Sequence, residues 1–292
     1  MTRIVAALTT VALATAALTA CAPASGVQGG RSAASPTPAP TPTPVPTELR
    51  PGTNHSYAAD AYAHSAAEVH AWLVDGDRAP HYPEQRVAFL TFDDGPSSTT
   101  TPKDLDILKA EGVPATFFYI TGDKALAKVD PAVPRRAMAE GHAVCVHSRS
   151  HNYHELYPGR RADAEHIVAD HDRAIADLRG VFGDGYAAGC YRYPGGHMSW
   201  RGMAPADAAL ADRGVHWIDW NTMTGDAEPA QRAPHTAGQA ARMVPAGLAA
   251  AGDPRVAVVL MHDAEGMTLS TDALRTVIHD LRDKGYTFGV IA

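Results

Sequence analysis

A chain of 292 residues is too long for one small domain and fits a larger domain with additions. Apolar residues at 45% and charged residues at 20% are ordinary for a globular protein and exclude a wholly disordered chain. A formal net charge of -7 argues against a phosphate-seeking surface, so nucleic acid is not an expected partner.

Met1-Thr2-Arg3 gives a short positive start, and an apolar run from Ile4 to Leu18 follows. That run is short for a membrane span and suits a secretion signal, expected over 1–20. It ends in Leu18-Thr19-Ala20-Cys21, which resembles the lipobox of bacterial lipoproteins. The resemblance implies lipidation at Cys21, with the protein anchored to the outer face of the cell membrane, facing the wall. An ordinary secretory signal with a coincidental cysteine is the alternative. Residues 21–52 are rich in Pro, Thr, Ser, Ala and Gly and cannot bury a core, so they read as a disordered linker. Of the three cysteines, Cys145 and Cys190 remain; they either pair or sit singly on buried strands.

Residues 53–85 carry Tyr62, Ala66, Val69 and Leu73 at helical spacing and read as an N-terminal helical extension. From Arg86 strand and helix patterns alternate. Strands are expected at 86–92, 115–120, 142–147, 187–193, 215–220, 255–262 and 286–291. Helical patterns lie between them, several closed by a glycine such as Gly112 or Gly141. Such alternation implies a parallel sheet, and seven strand candidates suit a closed or nearly closed barrel over 86–292. The site of such a fold lies at the C-terminal ends of the strands.

Ionisable residues collect at those ends: Asp93 and Asp94, His147, Arg192, Asp219, and His262 with Asp263. In "HSRSH" His147 and His151 are four apart, the spacing of one helical turn, which lets both imidazoles reach one metal ion. Two His and one Asp leave a position open for water, as hydrolytic zinc sites require. A base must then take the water's proton, and an acid must protonate the leaving group.

The motifs "TFDDGP", "HSRSH", "RYPGG", "DWN" and "LMHD", in that order, resemble those of the polysaccharide deacetylase family, carbohydrate esterase family 4, also called the NodB-homology domain. The resemblance covers roughly residues 86–292 and implies an α/β fold, an irregular (β/α)7 barrel. It makes Asp93 the general base and Arg192 its orienting partner. Asp94, His147 and His151 become ligands of Zn²⁺, Co²⁺ or another divalent transition metal. His262 becomes the general acid, and Asp219 the carboxylate that holds its imidazolium. Trp220 and Leu260 are expected to line a groove for the acetyl methyl. Gly195 and Tyr193 are expected at the substrate, with a backbone N–H near Gly195 facing the oxyanion. The family often carries Tyr at the Gly195 position, so one side-chain wall of that groove is missing here.

The implied activity is hydrolysis of N-acetyl groups on an extracellular glycan, with peptidoglycan N-acetylglucosamine the nearest polymer for a wall-facing monomer. Chitooligosaccharide deacetylase and acetylxylan esterase share the chemistry and are the rival readings. A non-catalytic wall-binding lipoprotein is the rival of a different class, and no ligand, base or acid is missing that would favour it.

Overall fold

Two seven-residue runs, VAFLTFD and VAVVLMH, carry no polar alternation, and each becomes a strand buried along its whole length. A computed structural model of the chain describes residues 45–292. The expected leader, Cys21 and most of the linker lie outside the described residues. The described chain begins with β1 (Ala63–His64), α1 (Ala66–Asp75), β2 (Val87–Asp93), α2 (Thr101–Glu111), β3 (Thr116–Tyr119) and α3 (Ala132–Ala139). It continues with β4 (Ala143–Val146), α4 (Tyr153–Leu156), α5 (Ala164–Phe182), β5 (Cys190–Tyr191), α6 (Ala204–Ala211) and β6 (His216–Trp217). It closes with β7 (Thr222–Met223), α7 (Ala237–Ala250), β8 (Val256–His262), α8 (Leu269–Asp283), β9 (Thr287–Phe288) and β10 (Val290–Ile291).

Strands β6-β5-β4-β3-β2-β8-β7 lie side by side, every pair parallel, and β9 adds to β2. The sheet curls into an irregular (β/α) barrel, as expected, but remains a half-barrel. No backbone pairing joins the edges β6 and β7 among the described residues. The long central pair β2 and β8 is in register from Val87↔Val256 to Asp93↔His262, so both strands end at the same level. Helices cover the outside because each has one apolar face; α5 buries Ile167, Ala174 and Leu178.

Two elements differ from expectation. Thr222–Met223 forms β7 within a short polar stretch that gives no apolar run to recognise. The expected strand at 286–291 divides at Gly289, where a Cβ would lie 2.9 Å from His64 Cδ2 and 3.0 Å from the Tyr62 carbonyl. The backbone passes too close to that segment for any side chain. On one side of the division β9 stays with β2, and on the other β10 pairs with β1.

In the N-terminal segment the helix starts later than its apolar spacing suggests. Ser65 caps α1 through a reciprocal box with Glu68, and Gly76 ends it. Tyr62 precedes the helix and donates its hydroxyl to the Gly141 carbonyl at 3.0 Å. Ala66, Val69 and Trp72 are buried in the same core as the barrel strands. Cys145 of β4 and Cys190 of β5 form a disulfide, with Cα atoms 5.4 Å apart, which decides between the two sequence readings.

Candidate metal centre and catalytic pocket

Register puts the first two ionisable groups together: Asp93, the last residue of β2, is the Cα partner of His262, the last residue of β8. Arg192 follows β5, is fully buried, and reaches across the barrel. Its Nη1 donates to Asp93 Oδ1 at 2.7 Å and to Thr91 Oγ1 at 2.8 Å. Its Nε donates to the Ile218 carbonyl at 2.8 Å, and its guanidinium lies 4.1 Å from the centre of the Phe118 ring. A buried carboxylate and a buried guanidinium are thus paired, and the remaining guanidinium hydrogens are largely used.

Asp94 turns away from the strand with φ +70°, so its carboxylate faces β4 instead of the pleat's other side. Its Oδ1 is buried, accepts no hydrogen bond, and lies 3.4 Å from His147 Nε2 and 3.3 Å from His151 Nε2. The ligand atoms of these residues lie within 4.8 Å of one another. His147 Nδ1 is 2.8 Å from the Arg192 carbonyl, an acceptor, so it carries the proton and leaves a lone pair on Nε2. An orphaned carboxylate oxygen facing imidazole nitrogens is the donor set of a divalent transition metal, and these residues fit one.

The His147–His151 spacing does not come from a helix. Residues 147–152 form an irregular loop, and α4 begins only at Tyr153. Ser148 at φ +72° and His151 at φ +45° are left-handed, a conformation that costs about 1–2 kcal/mol per residue. The His151 N–H donates to Ser148 Oγ at 2.8 Å within this loop.

His262 is held by Asp226, not by Asp219. Its ring Nδ1–H donates to Asp226 Oδ1 at 2.7 Å and its backbone N–H to Asp226 Oδ2 at 3.0 Å. Burial pulls the imidazole's pKa down. The Asp226 hydrogen bond and charge, with Asp93 and Asp94, outweigh that and push it up to about 9. Asp219 instead accepts from the His197 backbone N–H at 3.0 Å, turned toward the loop after Gly195. Asp226 reaches His262 because it follows β7, and β7 pairs with β8. The sequence signal was slight, an acid beyond a two-residue strand.

A cavity of about 310 Å³ opens over these groups, and Trp220, Leu260 and Gly195 line it. Tyr193 does not. It is fully buried, and its hydroxyl donates to Asp207 Oδ1 at 2.8 Å. Alternation explains this: Arg192 points inward, so its neighbour points outward. Tyr153, unassigned in the sequence, lines the cavity, and its hydroxyl would meet a Cβ at Gly195 at 3.3 Å, as would Trp200. These rings border the space that a side chain at 195 would enter.

Residues 81–209 match the family model described as polysaccharide deacetylase. The chain is similar to the peptidoglycan-N-acetylglucosamine deacetylase of Bacillus cereus, 30% identical over 208 residues, spanning 70% of this chain and 69% of that protein. It is also similar in structure to a Streptococcus mutans CE4 esterase. That match has a TM-score of 0.77 and 38% identity, covering 85% of this chain and 100% of the other. The catalytic domain of a peptidoglycan N-acetylglucosamine deacetylase from Eubacterium rectale matches with TM-score 0.59 and 28% identity, over 72% of this chain and 90% of that one.

Proposed function

The chain belongs to the polysaccharide deacetylase family, and from that membership we propose that it is a metal-dependent hydrolase removing N-acetyl groups from peptidoglycan N-acetylglucosamine. The observation that carries the reading is the Asp93↔His262 register, which sets a carboxylate and an imidazole side by side next to the Asp94, His147 and His151 cluster. Those last residues would hold Zn²⁺, Co²⁺ or a similar ion. When bound, such an ion supplies Lewis-acid polarisation of the acetyl carbonyl and lowers the pKa of water toward about 7.

The chain's own residues do the rest. Asp93 takes the proton of the attacking water, and Arg192 fixes the carboxylate for that task. His262 gives its proton to the departing amine nitrogen, while Asp226 orients the ring and favours its charged form. Trp220 and Leu260 receive the acetyl methyl, and backbone N–H near Gly195 faces the developing oxyanion. The Bacillus cereus and Eubacterium rectale relatives are peptidoglycan N-acetylglucosamine deacetylases, which supports peptidoglycan as substrate.

The setting belongs to the same proposal. An exported monomer, lipidated at Cys21 and carried on the 21–52 linker, would meet the wall polymer directly. No helix among the described residues is long and apolar enough to cross a membrane.

Acetate release from peptidoglycan, chitooligosaccharides and acetylxylan tests the reading, with chelated enzyme as control. Peptidoglycan should release acetate fastest, and activity should vanish on chelation and return with Zn²⁺ or Co²⁺. Preference for xylan would sink the substrate while leaving the chemistry. Inactivity on every polymer would favour the binding-protein reading.

A further inference from the structure

The loop that carries His147 and His151 lacks a helix's backbone ladder, so beyond its own His151 N–H to Ser148 Oγ bond its shape is held from outside. Two neighbours impose it. On one side the segment after β3 takes the loop's carbonyls: Thr121 N–H donates to the Ser148 carbonyl at 3.3 Å and Gly122 N–H to the Arg149 carbonyl at 3.0 Å. On the other side stands Asp170 of α5, 2% exposed. Its Oδ1 accepts from Arg149 N–H at 2.5 Å and its Oδ2 from Ser150 N–H at 2.9 Å. Successive backbone N–H groups form a concave anion site, and here the anion is a side chain of the protein itself. The side chain of Arg149 is occupied elsewhere, its Nε donating to Asp177 Oδ2 at 2.9 Å.

We propose that Asp170 is a positioning residue for the metal centre: by gripping the N–H groups of Arg149 and Ser150 it holds His147 and His151 converged before any ion arrives. The proposal rests on the reading of Asp94, His147 and His151 as a metal centre. Asp170 touches no ligand. It fixes the backbone between two of them, so its loss is felt as metal affinity. A group of this kind typically contributes about 10–100-fold to affinity.

The test uses the chain stripped of metal by chelation. Zn²⁺ affinity is measured by competition with a chromogenic chelator, alongside hydrogen exchange of the 148–151 amides. D170N should bind Zn²⁺ about 10–100-fold more weakly and lose amide protection in the metal-free state. D170E, which keeps the carboxylate, should bind more tightly than D170N. D177N, on the same helix and against the same arginine, should bind within about threefold of wild type. D170N equal to wild type in affinity, with only its melting temperature lowered, would reduce Asp170 to a structural acid and overturn the proposal. So would equal losses in D170N and D170E, or in D170N and D177N. Should wild type itself not bind Zn²⁺, the metal reading fails first and this proposal with it.

Discussion

Asp226 grips His262 twice, one carboxylate oxygen at the ring Nδ1–H and the other at the backbone N–H. The same carboxylate accepts from Ser270 Oγ at 2.5 Å, at the start of α8, so the acid and its holder are tied to one helix end. The ring's orientation depends on this one side chain, and its charge depends on it first, with Asp93 and Asp94 adding to it.

The pH dependence follows. In the proposed mechanism His262 acts in its protonated form, so activity should fall as pH rises through its pKa, which, against the pull of burial, the Asp226 hydrogen bond and charge raise. Asp226→Asn removes the charge that raises it, so the alkaline limb of kcat/KM should move down by about one to two pH units. A profile that keeps its alkaline limb while only the maximum falls would deny Asp226 this role.

Asp93 and Asp94 are adjacent in sequence and both approach His147 Nε2, at 3.8 and 3.4 Å, but only Asp93 is hydrogen-bonded to Arg192 and only Asp94 also reaches His151. Asp94→Asn should lose bound metal on dialysis. Asp93→Asn should retain it and lose turnover by about 10²–10⁴-fold. Metal content measured beside acetate release separates the two. Equal metal loss in both variants would mean that the division of labour is wrong.

Arg192 is fully buried and its partner Asp93 is 2% exposed. Removing one member of such a pair leaves an uncompensated charge, and Arg192→Met should cost about 3–5 kcal/mol in urea unfolding. Combining it with Asp93→Asn should recover part of that stability and none of the activity. If the double variant is less stable than Arg192→Met, the pair is not the source of the loss.

Behind the site, Asp104 of α2 is fully buried, and neither carboxylate oxygen has a hydrogen-bond partner. Burial, and then the nearby Asp263, push its pKa up to about 8. A folded-state pKa above the unfolded value of 3.8 means that the folded form binds the proton more tightly. Stability is therefore complete below the unfolded value and is lost as pH rises toward about 8, at about 1.4 kcal/mol per pH unit. Asp104→Asn should match wild type near pH 4 and surpass it increasingly up to pH 8. Melting curves across that range test this; parallel curves would exclude a protonated Asp104.

What the sequence made legible follows from how each residue is displayed. Asp93, Asp94, His147, Arg192 and His262 stand at or next to the ends of buried apolar strands, where a charge has few structural excuses. Asp226 stands beyond β7, two residues long and without an apolar run, so nothing local tied it to His262. Asp219 has the holder's role only through the resemblance of its DWN motif, and in the structure its carboxylate accepts instead from the His197 N–H. Tyr193, one step of the pleat from Arg192, faces Asp207 and not the cavity. The His147–His151 spacing fits a helical turn, whereas the left-handed residues that create the loop leave no mark in a stretch that has no glycine.

The pairing of β1 with β10 has a consequence in time. Ala66 N–H donates to the Ala292 carbonyl at 2.6 Å, and Ala292 N–H to the His64 carbonyl at 2.8 Å. Residues 63–66 are made long before residues 290–292, the other half of this clasp. Until then β1 lacks its strand partner, although Tyr62 can already reach Gly141. The clasp is a non-local contact that can form only after residues 290–292 have been made, so the β1 edge waits for its strand partner while strands β2 to β9 can already pair.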